Sequence, residues 1–168
     1  MRSTRTALFT ILASLTLAPA AFAGTDTDNL EVTASVQNSC VITGGTLAFG
    51  VYDTVTGAQL DASTSISVEC TTGATATIML GQGANADTGS TDDAPLRRLN
   101  DGGTNYLSYQ LYSAANRGTV WGNTAGTGVE YTAASADAFA ETVYGRIAGG
   151  QDVPAGSYSD TVIATVSF

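Results

Sequence analysis

Hydrophobic and polar residues alternate most regularly in two stretches of this chain, one near its start and one at its close. Between Leu30 and Gln37 the alternation is complete: Leu30, Val32, Ala34 and Val36 share one face, and Glu31, Thr33, Ser35 and Gln37 the other. From Tyr158 to Phe168 five of the six even positions are apolar or aromatic, with Asp160 the exception, and only Ile163 interrupts the polar odd positions. A period of two sends successive side chains to opposite faces of an extended backbone, so both stretches predict half-buried strands. The predicted strands are Leu30 to Ile42, Thr46 to Val51, Ser63 to Cys70, Thr75 to Leu80, Tyr106 to Tyr112, Val129 to Thr132, Thr142 to Ala148 and Ser157 to Phe168. Clusters of Gly, Asn, Asp and Ser separate them. No window carries a helical stripe; the alanines of 133–140 are interrupted by Ser135 and Asp137 and have no apolar face. Short strands with regular turn signals predict an all-β antiparallel sandwich with Greek-key connections.

The first 23 residues read as a signal peptide rather than as part of the fold. Arg2 and Arg5 give the positive start, Ala7 to Leu17 an apolar stretch too short to span a membrane, and Ala21-Phe22-Ala23 a small-x-small cleavage site. The mature chain is then expected to begin near Gly24 as a soluble exported protein without membrane insertion. Its length suits one domain with a sizeable core, and no internal repeat or linker divides it.

Lysine and histidine are absent, and outside the leader four arginines face 15 acidic residues, a balance of 4 − 15 = −11. Nucleic acid and anionic membrane are poor partners for such a chain. Without histidine, Ser-His and Cys-His catalytic machinery cannot be built, and nothing places two carboxylates across one cleft, so the expectation is a protein that is not an enzyme. Cys40 and Cys70 fit a single bridge in an oxidising compartment. The alternatives, a metal pair or a reactive thiol, lack histidine partners and zinc spacing. The loop Gln82 to Ala94 holds Asp87, Asp92 and Asp93 but not the EF-hand order of ligands, which favours a solvated surface loop over a calcium site. No cofactor or metal is implied. Tyr106, Tyr109 and Tyr112 fall on both sides of one strand, as packing residues do and a sugar-binding face does not. Trp121 beside Gly122 suits a core anchor, Tyr158 after Gly156 a corner tyrosine, and Asp160 an acceptor of backbone hydrogen bonds in a turn.

Several motifs taken in order are more specific. Cys40-Val41-Ile42, Leu47-Ala48-Phe49-Gly50-Val51-Tyr52-Asp53 and Val68-Glu69-Cys70-Thr71-Thr72-Gly73 open the series. Arg98-Leu99, Leu107-Ser108-Tyr109-Gln110-Leu111-Tyr112 and Trp121-Gly122 follow. Val143-Tyr144-Gly145-Arg146-Ile147 and Gly156-Ser157-Tyr158-Ser159-Asp160, leading into Val162 to Phe168, close it. Across the whole mature chain this series resembles the spore coat protein U domain family, which contains the subunits of archaic chaperone-usher pili.

The resemblance implies an incomplete immunoglobulin-like Greek-key sandwich, completed by a donor strand from another subunit. Residues 24–37 would form the N-terminal donor extension, with Leu30, Val32, Ala34 and Val36 as the inserted side chains, and 38–168 the pilin domain. Val162, Ala164, Val166 and Phe168 would line the acceptor groove and the chaperone-binding edge. The implied partners are a periplasmic pilus chaperone, an outer-membrane usher, other copies of the chain and related pilins. The implied place is a cell-surface pilus, or fimbrium, that supports cell adhesion and biofilm formation. A tip adhesin would carry an additional binding domain and need no donor, so a shaft subunit fits better. The rival is a secreted spore-coat or cell-surface structural protein assembled without an usher. By pattern alone, Leu30 to Val36 suits equally the first strand of a complete monomeric sandwich. Ala34 is small for a side chain meant to fill a pocket: either the pocket facing it is shallow, or the register differs by one pair.

Overall fold

A computed structural model describes residues 22–168. Of the predicted leader only Phe22 and Ala23 fall within it; the rest lies outside the described residues. The chain divides after Ser35. The described residues ahead of that point, 22–35, carry no strand and all are exposed. Val36–Phe168 form the second unit, and it is built entirely from β-structure.

Its strands are β1 (Cys40–Thr43), β2 (Leu60–Cys70), β3 (Thr75–Leu80), β4 (Arg97–Asn100), β5 (Tyr106–Tyr112), β6 (Val129–Thr132), β7 (Phe139–Ile147) and β8 (Ala164–Ser167). They form a five-stranded sheet in the order β1-β2-β7-β5-β4 and a three-stranded sheet in the order β6-β3-β8. Every pairing is antiparallel, so the fold is the expected immunoglobulin-like sandwich. Alternation decides what lies between the sheets: Ile66 and Val68 of β2, Ile78 and Leu80 of β3, Leu107 and Leu111 of β5, and Val143 and Ile147 of β7 are all buried. Side chains two apart share a face, so each strand contributes its apolar row to one core.

Trp121 is fully buried, and its indole N–H donates to the Ile78 carbonyl at 2.9 Å. It anchors the core, as its sequence setting predicts. Arg97, 1% exposed, was not expected there. Its guanidinium donates to the carbonyls of Gly81 (2.9 Å), Leu80 (2.8 Å) and Trp121 (2.7 Å) and to Gln110 Oε1 (2.6 Å). Burial holds its pKa down, to about 10. A buried cation is tolerated where its donors are matched to oxygen, as four of the five are here.

Cys40 and Cys70 face each other across β1 and β2 and form the expected disulfide, with an S–S distance of 1.98 Å. Closing a loop of 30 residues stabilises the fold by roughly 3–4 kcal/mol on the chain-entropy account. The residues just ahead of the bridge are fastened as well. The Ser39 amide donates to Thr71 Oγ1 at 3.1 Å, the Thr71 amide to the Ser39 carbonyl at 2.9 Å, and the Thr71 hydroxyl to the Gln37 carbonyl at 3.3 Å.

Two expected strands, β2 and β7, begin three residues earlier than the pattern predicts, and three others are shortened or lost. Leu30 to Ile42 is strand only from Cys40, Thr46 to Val51 has no ladder, and Ser157 to Phe168 is strand only over Ala164–Ser167. In each of these three the period-two pattern is present but a continuous partner strand is not, and a ladder requires both. β4 went unpredicted because its two adjacent arginines resemble a solvated turn.

Candidate functional site

An open trough lies along the inner side of the segment leading into β8. Its walls are two extended stretches that face each other, 46–54 on one side and 153–164 on the other. On the first wall Leu47, Phe49 and Tyr52 turn inward while Ala48, Gly50 and Val51 are exposed. On the second, Tyr158, Asp160, Val162, Ala164 and Val166 are half-buried and Ser159, Thr161, Ile163 and Thr165 exposed. Half-burial along a whole alternating row marks apolar side chains covered from below by the core and open above.

The trough has two chambers, about 170 and 830 Å³, that share Leu47, Phe49, Leu99 and Asp160 at a neck between them. Val162, Ala164 and Leu80 border the smaller chamber, and Val153, Tyr158 and Ile147 the larger. Phe49 meets Tyr109 edge-on at the neck, with ring centroids 5.9 Å apart. Outside the trough, ahead of the second wall, the Gln151 amide donates to the Tyr52 hydroxyl at 2.9 Å. Toward the end of β8 the trough closes, because β1 and β8 come within 8 Å between Cα atoms with no ladder joining them.

Asp160 is the polar group at the neck. Its carboxylate accepts from the Tyr109 hydroxyl (2.8 Å), the Asn85 amide (3.1 Å) and Asn85 Nδ2 (3.0 Å). It therefore receives a backbone N–H, as expected, but from a segment 75 residues away and not within a turn. Burial, and then the bond to Asp160, hold the Tyr109 phenol far above its ordinary value. Gly83, at φ +88°, makes this approach possible, since a Cβ there would overlap the Asp160 carboxylate. Tyr158 donates to the Pro154 carbonyl at 2.9 Å, the corner geometry its sequence position predicts. Tyr106 carries the Arg98 guanidinium 4.0 Å above its ring, Tyr109 lies in the core and Tyr112 is half-buried. The three rings thus pack on both faces of β5.

Of the predicted acceptor residues, Val162 and Ala164 line the trough. Val166 sits opposite Ile78 and packs on the core. Phe168 is 58% exposed and lines neither chamber, because the trough has already closed where β1 approaches β8. Of the predicted donor residues, Leu30, Val32 and Val36 are 87, 83 and 86% exposed, and Ala34 is exposed as well. The wall residues Leu47 and Phe49 were readable only as a short alternation. Gln151 carried no signal, since its pairing with Ser108 and Tyr52 is wholly long-range.

The backbone along the second wall is satisfied on one edge. Ile163 O accepts from Gly81 N, Thr161 O accepts from Ala84 N, and Ser159 exchanges both its groups with Asn100. Successive residues of a strand direct their N–H and C=O to opposite edges. The even residues, which place their side chains over the trough, therefore also present their backbone groups to it. The site offers apolar pockets and a free strand edge together, the requirements for adding one strand. Among the described residues no group of acidic or cysteine side chains is placed to hold a metal ion, and no helix is long and apolar enough to cross a membrane.

Comparison with known proteins places this architecture. Protein U of Myxococcus xanthus is 45% identical over 175 residues, spanning 98% of this chain and 97% of that protein. One chain of the CsuC-CsuE chaperone-tip adhesion subunit pre-assembly complex, from archaic chaperone-usher Csu pili of Acinetobacter baumannii, superposes with a TM-score of 0.55 at 18% identity. That match covers 79% of this chain and 40% of the other, and it is a likeness of fold. Residues 26–165 match the Spore Coat Protein U domain, so the chain belongs to that family, as its motif series indicates.

Proposed function

We propose that the protein is an exported structural subunit that polymerises by strand donation, each copy filling its neighbour's trough with residues 24–37, and that it forms the shaft of a chaperone-usher pilus. The carrying observation is the trough itself: two alternating walls, a free backbone edge, and an exposed alternating segment elsewhere in the same chain. The fold shared with a Csu chaperone-subunit complex supports a periplasmic chaperone as the first occupant of the trough. In this reading an outer-membrane usher then exchanges that loan for the next subunit's donor. The role is mechanical, supporting surface attachment and biofilm formation, and it requires no catalysis or cofactor.

Burial of three branched side chains and an alanine favours each joint by roughly 5–9 kcal/mol before ordering costs. Ordering residues 24–37 offsets part of this gain. Replacing Val32→Asp and Val36→Asp together puts two charges into an apolar trough. The SDS-resistant ladder of the secreted wild type should then disappear while the variant still co-purifies with its chaperone. Ladders of undiminished length in the variant would remove the donor assignment.

A second reading is favoured by the match to Protein U over nearly the whole length of both chains. The same joint would then build a spore or cell coat without an usher. Polymer that persists in cells lacking the usher supports the coat; its loss supports the pilus.

A further inference from the structure

Resting on the strand-donation reading, we propose one register for the joint: Leu30, Val32, Ala34 and Val36 of a second copy lie antiparallel to the wall, opposite Ala164, Val162, Asp160 and Tyr158 respectively. Ala34 then meets Asp160 at the neck, and its small size becomes a requirement of the site.

The direction follows from which end of the trough is open. β1 and β8 converge beyond Ala164, so a strand cannot continue past that point. Residues 37–39 lead from the donor face directly into β1 of the donating copy, whose domain must stand clear of the acceptor. An antiparallel donor leaves its free end at the closed end and its attached domain at the open end. A parallel donor would drive the attached domain into β1 and β8.

Facing follows from the wall's hydrogen bonds. Ser159 spends both backbone groups on Asn100, and Thr161 and Ile163 direct their carbonyls to Ala84 and Gly81, so residues 158, 160, 162 and 164 point theirs at the incoming strand. The donor residues whose side chains enter the trough must pair with these. A shift by one residue would expose the whole apolar row to solvent.

Shifts by two are decided at the neck. Asp160 already holds three hydrogen bonds, so a methyl group above it strips little solvation, whereas a branched side chain would cover the carboxylate and crowd the Phe49 and Tyr109 rings. Moving the donor one pair toward β8 sets Val36 on Asp160 and Leu30 against Val166, past the closed end. Moving it one pair the other way sets Val32 on Asp160 and Val36 against Gly156. Only the proposed register puts the one small donor residue on Asp160, the one charged residue of the second wall. Leu30, the largest donor residue, meets Ala164, the smallest of the four.

The outward-facing odd pairs give a test that leaves the trough untouched. In this register Thr33 of one copy lies opposite Thr161 of the next, in a non-hydrogen-bonded pair with Cα atoms about 4.5 Å apart, close enough for a disulfide. The full-length secreted Thr33→Cys/Thr161→Cys variant is expected to give a covalent ladder that survives boiling without reductant and collapses with it. Thr33→Cys/Ile163→Cys and Thr33→Cys/Ser159→Cys, offset by two residues to about 7–8 Å, should give little or none. A ladder from either offset pair instead, or unlinked polymer from all three, overturns the register and leaves strand donation standing. Secretion of all three only as monomers, or an internally linked monomer from the first, overturns both.

Discussion

Arg97 concentrates the core's polar requirements in one side chain. Three carbonyls from two separate stretches, Leu80 and Gly81 on one and Trp121 on the other, converge on its guanidinium together with Gln110. Replacing it with methionine keeps much of the apolar stem but leaves those buried oxygens without donors, at a cost of about 3–5 kcal/mol. Chemical denaturation of Arg97→Met should show a loss of that size, a large share of a small domain's stability. A loss below 1 kcal/mol would mean that water satisfies the carbonyls. This residue also marks a limit of sequence reading. Two adjacent arginines pattern as surface, and only the non-local meeting of three carbonyls makes one of them a core residue. Trp121 was legible because an indole is apolar wherever it lies.

Segment 46–52 behaves as a strand that lacks a neighbour. Leu47 and Phe49 hold it down by packing over β7 at Gly145, where a Cβ would meet the Phe49 ring at 2.8 Å and Leu47 Cδ1 at 3.0 Å. Gly145→Val should therefore lift this wall, costing roughly 1–3 kcal/mol by overpacking. If the wall forms half of the acceptor, polymer yield should fall further than the stability loss alone requires, judged against a core variant of equal stability. Equal yields in the two variants would separate this wall from assembly. β3, β5 and β6 were readable residue for residue because each is laddered along its whole predicted length to a strand of the same chain. The 46–51 and 157–163 stretches were legible as alternation yet are not laddered strands, since alternation is local and pairing is not. The same limit explains Phe168: its place in an apolar row was visible, but the convergence of β1 with β8 that removes it from the trough was not.

At the scale of the molecule, a disulfide at Cys40–Cys70 and the Thr71 hydrogen bonds fix the chain just behind the donor residues. The donated strand is thereby joined to its own domain through a short, fastened junction, and a stiff fibre is the expected product. The account depends on the trough of one copy being filled by residues 30–36 of another. The most direct measurement is the three-dimensional structure of the secreted polymer at side-chain resolution. The account predicts an added strand between 46–52 and 158–164, traceable through residues 37–39 to the neighbouring domain, with Ala34 over Asp160. A trough left empty, or filled by the same copy's own leading residues, would contradict it.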